Sequence, residues 1–292
     1  MTEVIASFAE VSDRYDAAFV DLWGCMHNGL EAFPDAVEAM RAFRAQGGRV
    51  VLVTNAPRPR ASVEAQIERM GIPRDSWDAI ATSGDAARVA LFQGAVGSRI
   101  WFMGAPTDRV FLEPPRIVAD PIPVEEVPLA EAEGIVCCGP FDPFADPEVN
   151  RPEFLLAKTH GLRLLCANPD IVVDRGERRE WCAGALAQLY EAMGGTALYF
   201  GKPYPPIYDL ARRRLSEVAP VPPDDRIICI GDGVATDVQG AMGEGLDCLF
   251  ISGGLAARET GTPHGGQPDP AALRAFTEAQ RLAPTYAIGF LR

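Results

Sequence analysis

The chain of 292 residues is 48% apolar and 23% charged, the balance of an ordinary globular enzyme with one large or two medium domains. Its formal net charge of -13 excludes a broad nucleic-acid-binding face, because an acidic surface repels polyanions at long range. A small phosphorylated ligand remains compatible with that charge if a metal ion neutralises its pocket.

In chain order, the N-terminus carries acids early and has no long apolar core, so it reads as neither a signal peptide nor a membrane anchor. No stretch approaches a membrane-spanning helix. Residues 17–20 form a short apolar run that ends at Asp21, Leu22, Trp23 and Gly24. Buried parallel strands read this way, and ligands of open α/β sheets sit beyond the strands' carboxyl ends. The Asn28-Gly29 pair marks a turn, and Pro34 opens a helix with apolar positions Ala36, Val37, Met40, Ala42 and Phe43. Residues 49–53 are a second buried strand, capped by Thr54 and Asn55. A βαβ unit of this length sets the two strand ends side by side, with Thr54 next to Asp21.

A helix over 61–70, a strand over 79–82 and a helix over 85–92 follow, and a strand over 98–103 begins a new unit. Residues 113–128 hold five prolines and many acids without a helical period, which marks a domain insertion. The insertion continues with a strand over 134–138, a helix near 152–160, a strand over 162–166, the loop Asn168-Pro169-Asp170 and a helix over 182–193. The core is expected to resume with a strand over 197–200 that ends in Gly201-Lys202-Pro203. A helix over 207–218, strands over 226–230 and 247–251, a helix over 269–281 and an edge strand over 286–291 complete it. The core is thus expected over 1–86 and 197–292, with a smaller α/β domain over 87–196. Seven scattered cysteines without a CxxC indicate buried thiols in a reducing cytoplasm, not a zinc site or a disulfide framework.

Chemistry concentrates at four strand ends: Asp21, Thr54-Asn55, Lys202, and Asp232 with Asp237. A carboxylate can attack phosphorus and divide one hard displacement into two easier ones, which suits Asp21. The transferred phosphoryl group carries spread negative charge and needs donors and a metal. Thr54 and the backbone amides around Gly24 and Asn55 can hold its oxygens, and Lys202 can supply a point charge. Asp232 and Asp237 are hard oxygen donors in a glycine-containing loop, suited to Mg²⁺. Asp237 is compatible either with direct ligation or with positioning Lys202.

The ordered stretches FVDLWG, LVTNAP, FGKP and IGDGVATD, with CANPD between the second and third, resemble haloacid-dehalogenase-superfamily phosphatases of type IIA over nearly the whole chain. The resemblance implies a Rossmann-like α/β core with a parallel sheet and helices on both faces, plus an inserted α/β cap. It implies Asp21 as nucleophile and metal ligand, the Trp23 main-chain carbonyl as a further ligand, and Asn168 and Asp170 as substrate-touching cap residues. In the family a second aspartate usually stands two residues after the nucleophile and protonates the leaving group. Here that residue is Trp23, so general acid help of about 10²–10⁴ in rate is missing. His27 is a candidate substitute, with a plain loop histidine as the alternative. The expected activity is Mg²⁺-dependent hydrolysis of a small phosphorylated metabolite, and the alternative is a silent relative that binds a phosphorylated ligand. No nucleic-acid or membrane partner is expected, and a homodimer is compatible with the sequence. No GxGxxG follows the first strand and no P-loop is present.

Overall fold

In the computed structural model, residues 2–175 and 178–292 are described. Their strands, in chain order, are β1 (Glu3–Val4), β2 (Ala17–Val20), β3 (Arg49–Thr54), β4 (Ala79–Thr82), β5 (Arg99–Met103), β6 (Glu125–Glu126) and β7 (Gly134–Cys137). They continue as β8 (Arg163–Cys166), β9 (Val172–Arg175), β10 (Arg178–Trp181), β11 (Thr196–Tyr199), β12 (Ile227–Gly231), β13 (Asp247–Ile251) and β14 (Tyr286–Ile288). The chain divides into two compact units. The first comprises Met1–Thr54, Glu64–Ala81 and Tyr208–Arg292, and the second Asn55–Val63 and Thr82–Ile207. The expected boundaries at 86/87 and 196/197 fall inside the second unit.

The first unit is built on the sheet β1-β14-β13-β12-β2-β3-β4. The pairings from β1 through β3 are parallel. β2 and β12 are buried at every residue, the pattern of central strands covered on both faces by helices. The helix Pro34–Ala45 begins with Pro at its first turn, where no amide hydrogen is needed, and buries Ala36, Val37, Met40 and Phe43 on one face. Gly47 then turns the chain at φ 101°, a left-handed conformation costly for other residues.

From β2 the chain builds outward through β3 to β4, and later returns to the other side of β2 with β12, β13 and β14. The direction of strand addition therefore reverses between β2 and β12, and a crevice at the carboxyl ends of these two strands is the expected ligand position of such a sheet.

The second unit holds a five-stranded sheet, β11-β8-β7-β5-β6, all parallel. Alternate residues pack on its two faces: Ile135, Cys137, Leu164 and Cys166 enter one cluster, Val136, Cys138, Leu165 and Ala167 the other. A separate antiparallel pair, β9 with β10, was not foreseen from sequence; most of its residues are charged, and none is fully buried. The expected core strand over 197–200 requires correction: β11 pairs in parallel with β8 and belongs to the second unit's sheet. A four-residue strand carries too little pattern to say which sheet it joins. All seven cysteines are free and buried, as composition suggested. No helix among the described residues is long and apolar enough to cross a membrane.

An ionic knot ties the strand β3, the approach to β4 and the helix Pro34–Ala45. The Asp78 carboxylate accepts from Arg44 Nε and Nη2 at 3.0 and 2.8 Å and from the Val50 amide at 2.9 Å. Burial alone would raise its pKa, but the Arg44 bonds, the Val50 amide and the charge of Arg49 outweigh it and hold the carboxyl below its ordinary value. Asp78→Ala is expected to cost roughly 2–3 kcal/mol at neutral pH, since it orphans the Val50 amide and the guanidinium. Because the folded pKa is depressed, this stabilisation is present above the unfolded value of about 4 and is lost as pH falls through the folded one. Urea unfolding of parent and variant between neutral pH and pH ~3 checks this: the gap between them should close on the acid side.

Candidate active site

Asp21 follows β2 directly, and its amide donates to the Ile230 carbonyl at 2.8 Å. The pairing of Val20 with Ile230 puts Asp21 level with Gly231, one residue before Asp232. On the other side, Val20 pairs with Leu52, so Thr54 ends β3 two residues beyond. Asp21, Thr54 and Asp232 are all buried in the first unit. Asp21 and Thr54 thus stand at the ends of adjacent strands, as the βαβ reading anticipated, and Asp232 arrives on the other neighbour of β2.

Two glycines make room for Asp232. A Cβ at Gly24 would lie 2.2 Å from Asp232 Oδ2, and one at Gly254 would lie 2.0 Å from the same atom. The Leu255 amide donates to that oxygen at 2.9 Å and fixes the carboxylate's rotation. Of the backbone amides around Gly24 expected to hold phosphoryl oxygens, that of Gly24 itself donates to the His27 carbonyl at 2.9 Å, and the residue adds space and a φ of 77°. Asp237 is buried, with Oδ2 accepting from the Gly233 amide at 3.1 Å and the Thr236 hydroxyl at 3.3 Å. These bonds brace the loop after β12.

Trp23 and His27 pack edge to face, with ring centroids 5.3 Å apart and an interplanar angle of 71°. Gly29 lies under the indole: a Cβ there would be 2.4 Å from Trp23 Cζ2. The Gly29 amide donates to His27 Nδ1 at 3.0 Å, so that ring nitrogen is an acceptor.

A residue that sequence reasoning passed over joins the acids. Asp21, Cys25 and Asp232, all buried, each present a ligand atom within 4.8 Å of the others. Cys25 stands in the same loop as Asp21, but cysteine spacing alone looks for pairs of cysteines and misses a lone one beside carboxylates. Two buried carboxylates this close favour a cation between them, which is the chemical fit of the site to a divalent metal.

The remaining expected residues lie in the second unit. Asn55 ties three of its segments together. Its Oδ1 accepts from the Lys202 amide at 2.7 Å, and its Nδ2 donates to Asp170 Oδ1 at 2.8 Å and to the Lys202 carbonyl at 3.1 Å. Gly201 permits this approach, since a Cβ there would be 2.4 Å from Asn55 Oδ1. Asn168 Oδ1 accepts from the Asp170 amide at 3.0 Å, an Asx turn across Pro169, and the Gly184 amide donates to the Asp170 carbonyl at 3.1 Å. Behind the turn, burial drives the thiols of Cys166 and Cys182 far up in pKa, so they pack as protonated, apolar groups. The Lys202 side chain is buried.

The parallel sheet whose strand order reverses at Asp21, together with the acids there, defines a class: the chain belongs to the haloacid dehalogenase-like hydrolases. The family model of that description matches residues 18–114, and a HAD-hydrolase-like model matches residues 199–279. A crystal structure of a haloacid dehalogenase-like hydrolase from Brucella suis 1330 is 38% identical, with complete coverage of both chains and a TM-score of 0.83. Among curated proteins, the 5'-nucleotidase YutF of Bacillus subtilis (strain 168) is 24% identical over 84% of this chain and 90% of its own. The D-glycerol 3-phosphate phosphatase of Mycobacterium tuberculosis (strain ATCC 25618 / H37Rv) is 24% identical over 84% of this chain and 65% of its own.

Gly24→Ala tests the slot. A methyl group at positive φ costs about 1–2 kcal/mol, and it must also displace the Asp232 carboxylate. Thermal melting should fall accordingly, and calorimetry should show weakened divalent-ion binding.

Proposed function

We propose that the protein is a metal-dependent phosphatase of a small phosphorylated metabolite, working through an aspartyl-phosphate on Asp21. The observation that carries this reading is the pair of buried carboxylates, Asp21 and Asp232, at the reversal of the strand order. The names of the two curated relatives, a 5'-nucleotidase and a D-glycerol 3-phosphate phosphatase, point to the same class of chemistry.

In the first step an Asp21 oxygen attacks phosphorus while the bond from phosphorus to the leaving oxygen breaks, and the leaving group departs with that electron pair. Water then cleaves the acyl phosphate, releasing inorganic phosphate and restoring the carboxylate. Thr54 Oγ1 donates to a phosphoryl oxygen. Asp232 and the Trp23 carbonyl would join Asp21 in holding an ion, Mg²⁺ by the family resemblance. Bound there, it would supply positive charge to the phosphoryl oxygens. Asp237 braces the loop that carries Asp232. The roles given by resemblance to Lys202, Asn55, Asn168 and Asp170 in phosphate and substrate binding, and to 87–196 as the substrate-selecting cap, belong to this proposal and are open to substitution one residue at a time.

Trp23 favours a second reading, a silent relative that binds a phosphorylated ligand without turning it over. One experiment separates the two: hydrolysis of a phosphorylated-metabolite panel, with and without Mg²⁺, by parent and Asp21→Asn. The phosphatase reading expects a loss of at least about 10³-fold in the variant, with melting unchanged. No turnover of any panel member by the parent, despite ligand binding, would establish the silent relative.

If the parent is active, the missing acid should show in its choice of leaving group. An aryl oxide departs without a proton, whereas an alkoxide needs one, so aryl phosphates should react faster than alkyl phosphates by about 10²–10⁴-fold. Trp23→Asp should narrow the gap. Should His27 act as the acid instead, the parent will already hydrolyse alkyl phosphates, and His27→Ala will depress that rate alone. Paired aryl and alkyl rate constants for the three proteins check this.

A further inference from the structure

The slot that holds Asp21 and Asp232 also holds a sulfur. Cys25 follows the left-handed Gly24 and is only 1% exposed. Its loop closes on itself: the Met26 and His27 amides both donate to the Leu22 carbonyl, at 2.8 and 3.1 Å, and the Gly24 amide donates to His27. This turn fixes the backbone on either side of Cys25. Its Sγ, one oxygen of Asp21 and one of Asp232 lie within 4.8 Å of one another. Metal–sulfur and metal–oxygen bonds of about 2.3 and 2.1 Å bridge at most roughly 4.4 Å between opposed ligands, so one ion joins the three atoms once they draw in to that separation. Among the described residues it is the one such grouping of metal-ligating side chains.

We infer that Cys25 Sγ is a ligand of the ion held by Asp21 and Asp232, and that the site therefore prefers a borderline transition ion, of the cobalt or zinc class, to Mg²⁺. The inference rests on the metal-dependent reading above and replaces the Mg²⁺ given by resemblance with a different class of ion. Mg²⁺ takes oxygen ligands and gains little from sulfur, whereas Co²⁺ and Zn²⁺ bind thiolate strongly. Coordination requires the thiolate, so the Cys25 proton leaves to solvent as the metal–sulfur bond forms. No electron is transferred.

The full chain is titrated with Co²⁺, Zn²⁺ and Mg²⁺, followed by calorimetry and absorption, with melting curves to monitor the fold. The expected result is a near-ultraviolet sulfur-to-cobalt charge-transfer band in the parent. Cys25→Ser should abolish the band and weaken Co²⁺ and Zn²⁺ by about tenfold or more, the scale on which metal-site substitutions act, with Mg²⁺ changed by less than about threefold. Cys25→Ala serves as a second variant, and if neither folds, the parent's band decides. Co²⁺ binding without the band overturns the inference, as does a band that persists in Cys25→Ser or an equal loss for all three ions. Mg²⁺ and Co²⁺ binding alike, with no band, overturns it alone. A parent that binds none of the three ions overturns the metal-dependent reading with it.

Discussion

The structure of the first unit depends on placing two acids against each other in a buried slot. Asp21 and Asp232 arrive on adjacent parallel strands, and the registers of β2 with β12 and with β3 leave little choice in where they meet. Buried like charges repel, so the surroundings must hold them. Gly24 and Gly254 withhold side chains from the space that Asp232 fills, and the Leu255 amide pins one of its oxygens. One oxygen of Asp237 braces the turn that follows β12. Gly24, Gly254 and the Leu255 amide thus shape the space that Asp232 fills.

The second unit uses a different device. Asn55 is a single amide side chain that meets both backbone groups of Lys202 and the carboxylate of Asp170. It links the chain after β3, the turn after β8 and the turn after β11 in one buried network. An amide suits this task because it offers a donor and an acceptor at once, and neither carries a charge that burial would penalise.

Much of this was legible in the sequence, for identifiable reasons. Short apolar runs that end in Asp21, Thr54 and Asp232 announced buried parallel strands, and βαβ geometry then placed Thr54 near Asp21 without any coordinates. The Pro34 helix was readable from its first-turn proline and its apolar spacing. What escaped had no local signature. The four residues of β11 carry no information about which sheet they join, so the strand before Lys202 was assigned to the wrong one. The pair β9–β10 carries charge at five of its eight residues and lacks the alternation that marks a half-buried strand. Cys25 was visible as a residue, but its closeness to Asp232 is a product of the fold. The bond from the Gly24 amide to the His27 carbonyl is likewise a product of the loop's closure.

The strand order also has a consequence for how the chain comes to be folded. β2 meets β3 soon after both are synthesised, but its other neighbour, β12, is about 200 residues further along. The whole five-stranded sheet of the second unit is made in the interval. Pairings so distant in sequence are slow to form, and the domain that contains them waits on the ribosome for its far half. A nascent chain therefore carries Asp21 on an open strand edge, with neither Asp232 nor the glycine of 254 yet made. The slot between the two acids has no N-terminal precursor: it forms only when β12 docks beside β2, and until then Asp21 stands without the neighbour it meets in the finished sheet.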